Sequence, residues 1–220
     1  MVGPKKNILV INPNSSLTMT AAIRRGLESI SLPENISWQC QHLSAAPIGI
    51  ETAAHIEEVI PLLQQVASAK HCDALVVSCF SDPGVAQLRK DLAVPIFGIG
   101  ESAYQQAASV SRNVGIISIL DASVGRHKIA LQQLDLLSYI TADIALNLST
   151  TQLHETQMVS KRLKEVAAQL VEKGADCLVL GCAGLADYRQ MLSSAMQLPV
   201  IEPSQAALLA AAASFDITLT

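Results

Sequence analysis

The sequence predicts an α/β fold of two similar half-domains, each a four-stranded parallel sheet flanked by helices, with the active site at their interface. Three observations carry this expectation. The segment Asp73-Ala-Leu-Val-Val-Ser-Cys79-Phe-Ser-Asp-Pro-Gly84 returns 103 residues later as Asp176-Cys-Leu-Val-Leu-Gly-Cys182-Ala-Gly184. In each copy an aspartate precedes a continuous apolar run, which is how a parallel strand covered on both faces reads. Short apolar runs also alternate with stretches of helical spacing along the whole chain, as parallel sheets with right-handed crossovers require. Half of the residues are hydrophobic and only 15% are charged, a balance that favours a compact chain of 220 residues with a sizeable core.

In order, residues 7–11 read as a first strand, and the Asn12-Pro-Asn-Ser-Ser16 loop ends it. Ser15 or Ser16 can cap the helix expected over 17–29, leaving backbone N–H groups turned toward that loop. A strand follows at 37–43, then a turn at Ala46-Pro-Ile-Gly49. Helical spacing runs over 51–70, with Pro61 starting a second helix or kinking the first. The third strand spans 74–78, a helix 84–92, a short strand 94–99 and an Ala- and Gln-rich helix 102–109. The pattern then restarts: strand 113–119, helix 123–137, strand 141–148, helix 151–173, strand 177–181, helix 188–196 and strand 198–201. A last helix begins at 204. Cys79 stands sixteen residues before Pro95 and Cys182 seventeen before Pro199, so the halves share their spacing. The expected division is residues 1–98, joined by the closing segment 206–220, and residues 99–205.

Ligands of open parallel sheets bind beyond the carboxyl ends of the strands, where both Cys79 and Cys182 fall. Of the other cysteines, Cys177 aligns with Ala74 inside a strand, and Cys72 and Cys40 have no counterpart, so all three are expected to pack as small hydrophobes. Two thiols facing one carbon acid permit a definite chemistry: a thiolate removes a proton from one face while the other thiol delivers one to the opposite face. A helix end beyond each cysteine is expected to lower a thiol toward neutral pH. Backbone N–H groups of Phe80, Ser81, Ala183 and Gly184 would hold the carbanion's oxygen, and the small residues Gly181, Ala183 and Gly184 let backbone approach the ligand.

Several function classes fall away. The net charge of −4 comes with no basic stripe, so no nucleic-acid partner is expected. The apolar run after Lys5-Lys6 ends at Ile11, too short for a signal peptide or membrane span, so no membrane partner and a reducing cytoplasmic setting are expected. Five histidines without i, i+4 pairing and five cysteines without a Cys-x-x-Cys pair give no metal site. Gly98-Ile-Gly-Glu-Ser-Ala103, with Asp121 beyond the next strand, imitates a dinucleotide fingerprint, but Glu101 would place a carboxylate beside the pyrophosphate. No cofactor is expected, the partner being a small-molecule substrate. The Ala-rich helices suit packing into a homo-oligomer.

The chain resembles the aspartate/glutamate/hydantoin racemase superfamily, in its hydantoin and allantoin racemase branch. The resemblance rests on Ile11-Asn-Pro-Asn-Ser-Ser16 with Thr20, Ala46-Pro-Ile-Gly-Ile-Glu51, Ser78-Cys-Phe-Ser-Asp-Pro-Gly84, Pro95-Ile-Phe-Gly-Ile-Gly-Glu101 and Leu180-Gly-Cys-Ala-Gly184, in order along nearly the whole chain. It implies a cofactor-independent racemase with Cys79 and Cys182 as the acid–base pair, and Asn14, Ser15, Phe80 and Ser118 in the substrate pocket. Where amino-acid racemases of the superfamily carry Cys-Asn-Thr and Gly-Cys-Thr-Glu, this chain has Phe80-Ser81 and Ala183-Gly184, which points to a neutral cyclic ureide rather than a carboxylate. The alternatives are an amino-acid racemase, a related decarboxylase or isomerase, and a non-catalytic sensor of a small ligand.

Overall fold

The computed structural model describes residues 4–215. The first sheet is built from β1 (Lys6–Asn12), β2 (Ile36–His42), β3 (Ala74–Val77) and β4 (Ile96–Gly98), connected by α1 (Leu17–Glu28), α2 (Ala53–Ala69) and α3 (Val85–Asp91). Helix α4 (Ile99–Val110) leads to β5 (Val114–Ser118), α5 (Asp121–Gln133), β6 (Ile140–Ala145), α6 (Thr156–Glu172), β7 (Cys177–Leu180), α7 (Arg189–Met196), β8 (Val200–Ile201) and α8 (Pro203–Ala213). The strand orders are β2-β1-β3-β4 and β6-β5-β7-β8, and every pairing is parallel. This is the expected pair of four-stranded parallel sheets.

The duplication extends to individual hydrogen bonds. Ser78 N–H donates to the Ile11 carbonyl and Gly181 N–H to the Ile117 carbonyl, both at 2.8 Å, so the residue before each cysteine is held alike. Leu75 and Leu178 N–H bond the carbonyls of Pro95 and Pro199, both at 2.9 Å, which explains the shared cysteine-to-proline spacing. β3 and β7 are buried along their full lengths because helices cover both faces.

Several helix and strand limits differ from expectation. Of the two expectations at Pro61, a second helix does not start there: the proline sits inside one continuous α2. α4 begins at Ile99, directly after β4, because the Asp82 carboxylate accepts the N–H groups of Gly100 (2.9 Å) and Glu101 (2.7 Å) and caps the helix early. β6 stops at Ala145, and Asn147 follows in a left-handed conformation. The helix expected from 151 begins as a 3-10 turn, Gln152–His154, before α6.

The two helices that follow the last strand of each sheet are exchanged. α4 packs Ala103, Tyr104 and Ala107 against Val114, Ile116, Cys177 and Val179 of the second sheet. α8 packs Ala207, Leu208 and Ala211 against Ile8, Val10, Ala74 and Val76 of the first. Buried Glu202 caps α8 through Ser204 N–H and Gln205 N–H, with Pro203 at the first helical position. Of the closing segment expected over 206–220, residues 216–220 lie outside the described residues. Leu208 is fully buried whereas Leu209 is 39% exposed. Leu208→Ala should therefore cost about 2–5 kcal/mol in urea unfolding while Leu209→Ala stays within about 0.5 kcal/mol. Equal costs would show that α8 does not carry the first core.

Candidate active site

Each cysteine ends a central strand and begins a tight turn, and the two turns are built alike. Asp82 N–H donates to the Cys79 carbonyl at 2.9 Å, and Leu185 N–H to the Cys182 carbonyl at 3.1 Å. Two residues past each cysteine a backbone N–H turns back on the sulfur: Ser81 on Cys79, and Gly184 on Cys182 Sγ at 3.4 Å. Gly84, with φ of 71°, takes the first turn into α3. Gly181 has no room for a side chain, since a Cβ there would lie 2.7 Å from the Ile117 carbonyl. The second turn continues as a 3-10 segment, Ala183–Tyr188.

Both cysteines open on one cavity of about 40 Å³ between the two sheets' loops. By that measure it has room for about three waters, the space of a compact ring. Asn14, Phe80, Ser81, Gly181 and Ala183 line it with them. Asn14 is buried; its Oδ1 accepts from Asn12 Nδ2 and Ser16 N–H at 2.9 Å each, and among the described residues its Nδ2 faces only the thioether of Met19 at 3.0 Å. That donor is poorly matched inside the protein and available to a ligand carbonyl.

Three residues assigned to the pocket in the sequence lie elsewhere. Ser15 borders a separate depression with Leu17 and Thr151. Ser118 is wholly buried, and its hydroxyl bonds His127 and the Asp143 carboxylate. Gly184 faces a third hollow beside Tyr188, though its N–H reaches the Cys182 sulfur.

The cavity also recruits residues to which the sequence assigned no role: Glu51, which only closes a motif, and Thr150, Arg126 and His127, which no motif contains. The Glu51 carboxylate accepts Thr150 N–H and the Thr150 hydroxyl, both at 2.8 Å, tying a loop of one lobe to a loop of the other. Arg126 donates to the carbonyls of Ala122 (2.8 Å) and Glu51 (3.3 Å). His127, 3% exposed, has Nδ1 at 2.8 Å from the Asp143 carboxylate and packs edge-on against Phe80 at 5.0 Å. The one sequence signal for this pair was Asp143, the single charge in its strand. Among the described residues, no three His, Cys, Asp or Glu side chains gather as a metal site. The dinucleotide reading of Gly98–Glu101 also fails, because the Asp82 carboxylate already occupies the N–H groups that would cradle a pyrophosphate, and Glu101 pairs with Arg89 at 3.0 Å.

A model of the Asp/Glu/hydantoin racemase family matches residues 8–211. The chain belongs to that family. It is 32% identical to a hydantoin racemase of Rhizobium meliloti over 211 residues, covering 91% of this chain and 85% of that protein. It is likewise 32% identical to a hydantoin racemase of Paenarthrobacter aurescens over 209 residues, covering 91% and 87%. Among solved structures, an allantoin racemase from Klebsiella pneumoniae superposes with a TM-score of 0.91 at 27% identity, covering 98% of this chain and 90% of that one. No helix among the described residues is long and apolar enough to cross a membrane.

In this racemase-family site, burial dominates the thiols and overturns the expectation of a lowered pKa. Burial pushes Cys79 up to about 12 and Cys182 up to about 11; the N–H groups of Ser81 and Gly184 offset only part of this. The charge of Cys182 itself raises Cys79, so the two sulfurs are near enough to feel each other. Arg126 favours the Cys79 thiolate, whereas Glu202 and Glu51 disfavour that of Cys182. Iodoacetamide at pH 7.5 should therefore label both at least about a hundredfold more slowly than an unstructured peptide thiol, accelerating about tenfold per pH unit up to pH 10. Peptide mapping by mass spectrometry resolves the two sites, and fast, pH-independent labelling of either would contradict the burial argument.

Proposed function

We propose that this isomerase interconverts the enantiomers of a hydantoin-like cyclic ureide, with Cys79 and Cys182 exchanging a proton at the ring's C5 from opposite faces. The observation that carries the reading is the pair of identically built cysteine turns, one from each sheet, opening on one cavity. The hydantoin and allantoin racemases named among the relatives support the substrate class.

One sulfur, as thiolate, takes the C5 proton, and the electron pair moves onto the adjacent carbonyl oxygen. The opposite thiol then protonates C5 from its own side. The thiol becomes thiolate and the thiolate thiol, so the enzyme ends ready for the other enantiomer. A carbon acid flanked by a carbonyl and a ring nitrogen is weakly acidic, and a thiolate whose conjugate acid sits near 11–12 is a correspondingly strong base for it. The Ser81 and Gly184 N–H groups face the sulfurs, which leaves Phe80 and Ala183 N–H and Asn14 Nδ2 as the donors for the developing oxyanion. An amino-acid substrate is less well served. Arg126 already donates to two carbonyls, and Glu51 and Thr150 take the place of a carboxylate clamp.

Cys79→Ser and Cys182→Ser should each lower racemisation of allantoin or 5-substituted hydantoins by more than about a hundredfold in polarimetry. Proton-to-deuterium exchange at C5 separates catalysis from mere binding, since a sensor washes no deuterium into its ligand. Racemisation retained in either variant would refute the two-thiol mechanism. Because both thiols lie well above neutrality, kcat/KM should climb about tenfold per pH unit from pH 7 to 9. A flat profile there would mean that neither cysteine is the base.

A further inference from the structure

A second cavity of about 350 Å³ adjoins the first and shares Phe80, Ser81, Arg126 and His127 with it. It lies between α3, α4 and α5, with Val85, Ala86, Ala130 and Leu134 supplying apolar wall. Resting on the ureide reading above, we infer that this cavity is the subsite for the arm carried on the substrate's C5, and that it selects an uncharged carbamoyl arm, ureido or carboxamide, over a hydrocarbon or a carboxylate.

The reaction cavity is the size of a compact ring, so a substituent must leave it, and the larger space begins at the shared wall. The charges of the second cavity balance: Arg89 and Arg126 face Asp82 and Glu101, with Arg89 and Glu101 already paired at 3.0 Å. A carboxylate arm gains no net attraction there. A pure hydrocarbon arm wastes two buried groups. Tyr104, 2% exposed, lines this cavity, and among the described residues its hydroxyl has no hydrogen-bond partner; the Nε of Arg126 is likewise buried without one. A buried polar group without a partner is costly and uncommon, so a pair of them on two residues that line one cavity marks where a ligand's oxygen belongs. A carbamoyl carbonyl accepts from both, and its N–H groups have the Gln133 amide on the same wall.

Tyr104→Phe isolates this contact, because the lost hydroxyl bonds nothing among the described residues. The variant should melt at the wild-type temperature or above it. Exchange of the C5 proton for deuterium, followed by NMR with allantoin and with 5-isobutylhydantoin, reads the selectivity. The expected result is a wild type that prefers allantoin, and a Tyr104→Phe enzyme that loses on the order of tenfold in kcat/KM for allantoin with 5-isobutylhydantoin unchanged. Equal changes on both compounds, or none, would mean the hydroxyl is met by water only and would overturn the subsite. If neither compound exchanges with the wild type, the two-thiol reading fails by itself. Calorimetric titration of both compounds then judges the subsite alone: about tenfold weaker allantoin binding by Tyr104→Phe upholds it, and equal binding overturns it.

Discussion

The arrangement depends on the exchange of α4 and α8. Each helix leaves the last strand of one sheet and covers the other sheet, so neither core is closed without its neighbour. The starts of both helices also touch the first cysteine turn: the Asp82 carboxylate caps α4, and the Ser204 hydroxyl of α8 bonds the Ser78 hydroxyl at 3.0 Å. The interlock that buries the apolar faces thereby also sets where Cys79 stands relative to Cys182. Burying those faces is the dominant favourable contribution to folding, so the sulfurs are positioned by the same interaction that holds the chain together.

Burial has a second effect at the site. It removes most of the water from Cys182 and part of it from Cys79 and makes the thiolates scarce at neutral pH, but each thiolate that forms is a stronger base. For a weak carbon acid the two effects oppose, and the product of thiolate population and proton-transfer driving force decides the rate. The N–H groups on each sulfur temper the destabilisation without removing it. The charge of one sulfur also discourages ionisation of the other, which favours a single thiolate in the pair at a time.

The duplicated sheets were legible because the features that repeat are local and sterically demanding. An aspartate before each central strand anchors a neighbouring strand's start: Asp73 accepts Asn7 N–H at 2.8 Å, and Asp176 accepts from the side chains of Ser111 and Asn113. The donors to the two carboxylates differ, but the backbone bond is the same in both halves: Asp73 N–H donates to the Asn7 carbonyl at 2.8 Å and Asp176 N–H to the Asn113 carbonyl at 2.9 Å. The helix exchange entered the sequence reading only as a division of the chain, with 206–220 joined to the first half and 99 onward given to the second; no repeated motif marks it, since α4 and α8 are Ala-rich and apolar whichever sheet they cover. His127 with Asp143, and Glu51 with Thr150, were hidden for a related reason. Their partners are 16 and 99 residues apart and belong to no repeated motif. Ser118 was misplaced by analogy: it ends β5 as expected, but its hydroxyl is claimed by a carboxylate the motif does not include.

The two turns share their backbone bonds yet differ in what flanks the sulfur, Phe80-Ser81 on one side and Ala183-Gly184 on the other. Mirror-image molecules have identical free energies, so interconversion has an equilibrium constant of one whatever the catalyst. The unlike shoulders can therefore give the two hands different turnover numbers and different Michaelis constants, but only in lockstep. Their ratios must cancel, and no remodelling of either turn can make the reaction run one way.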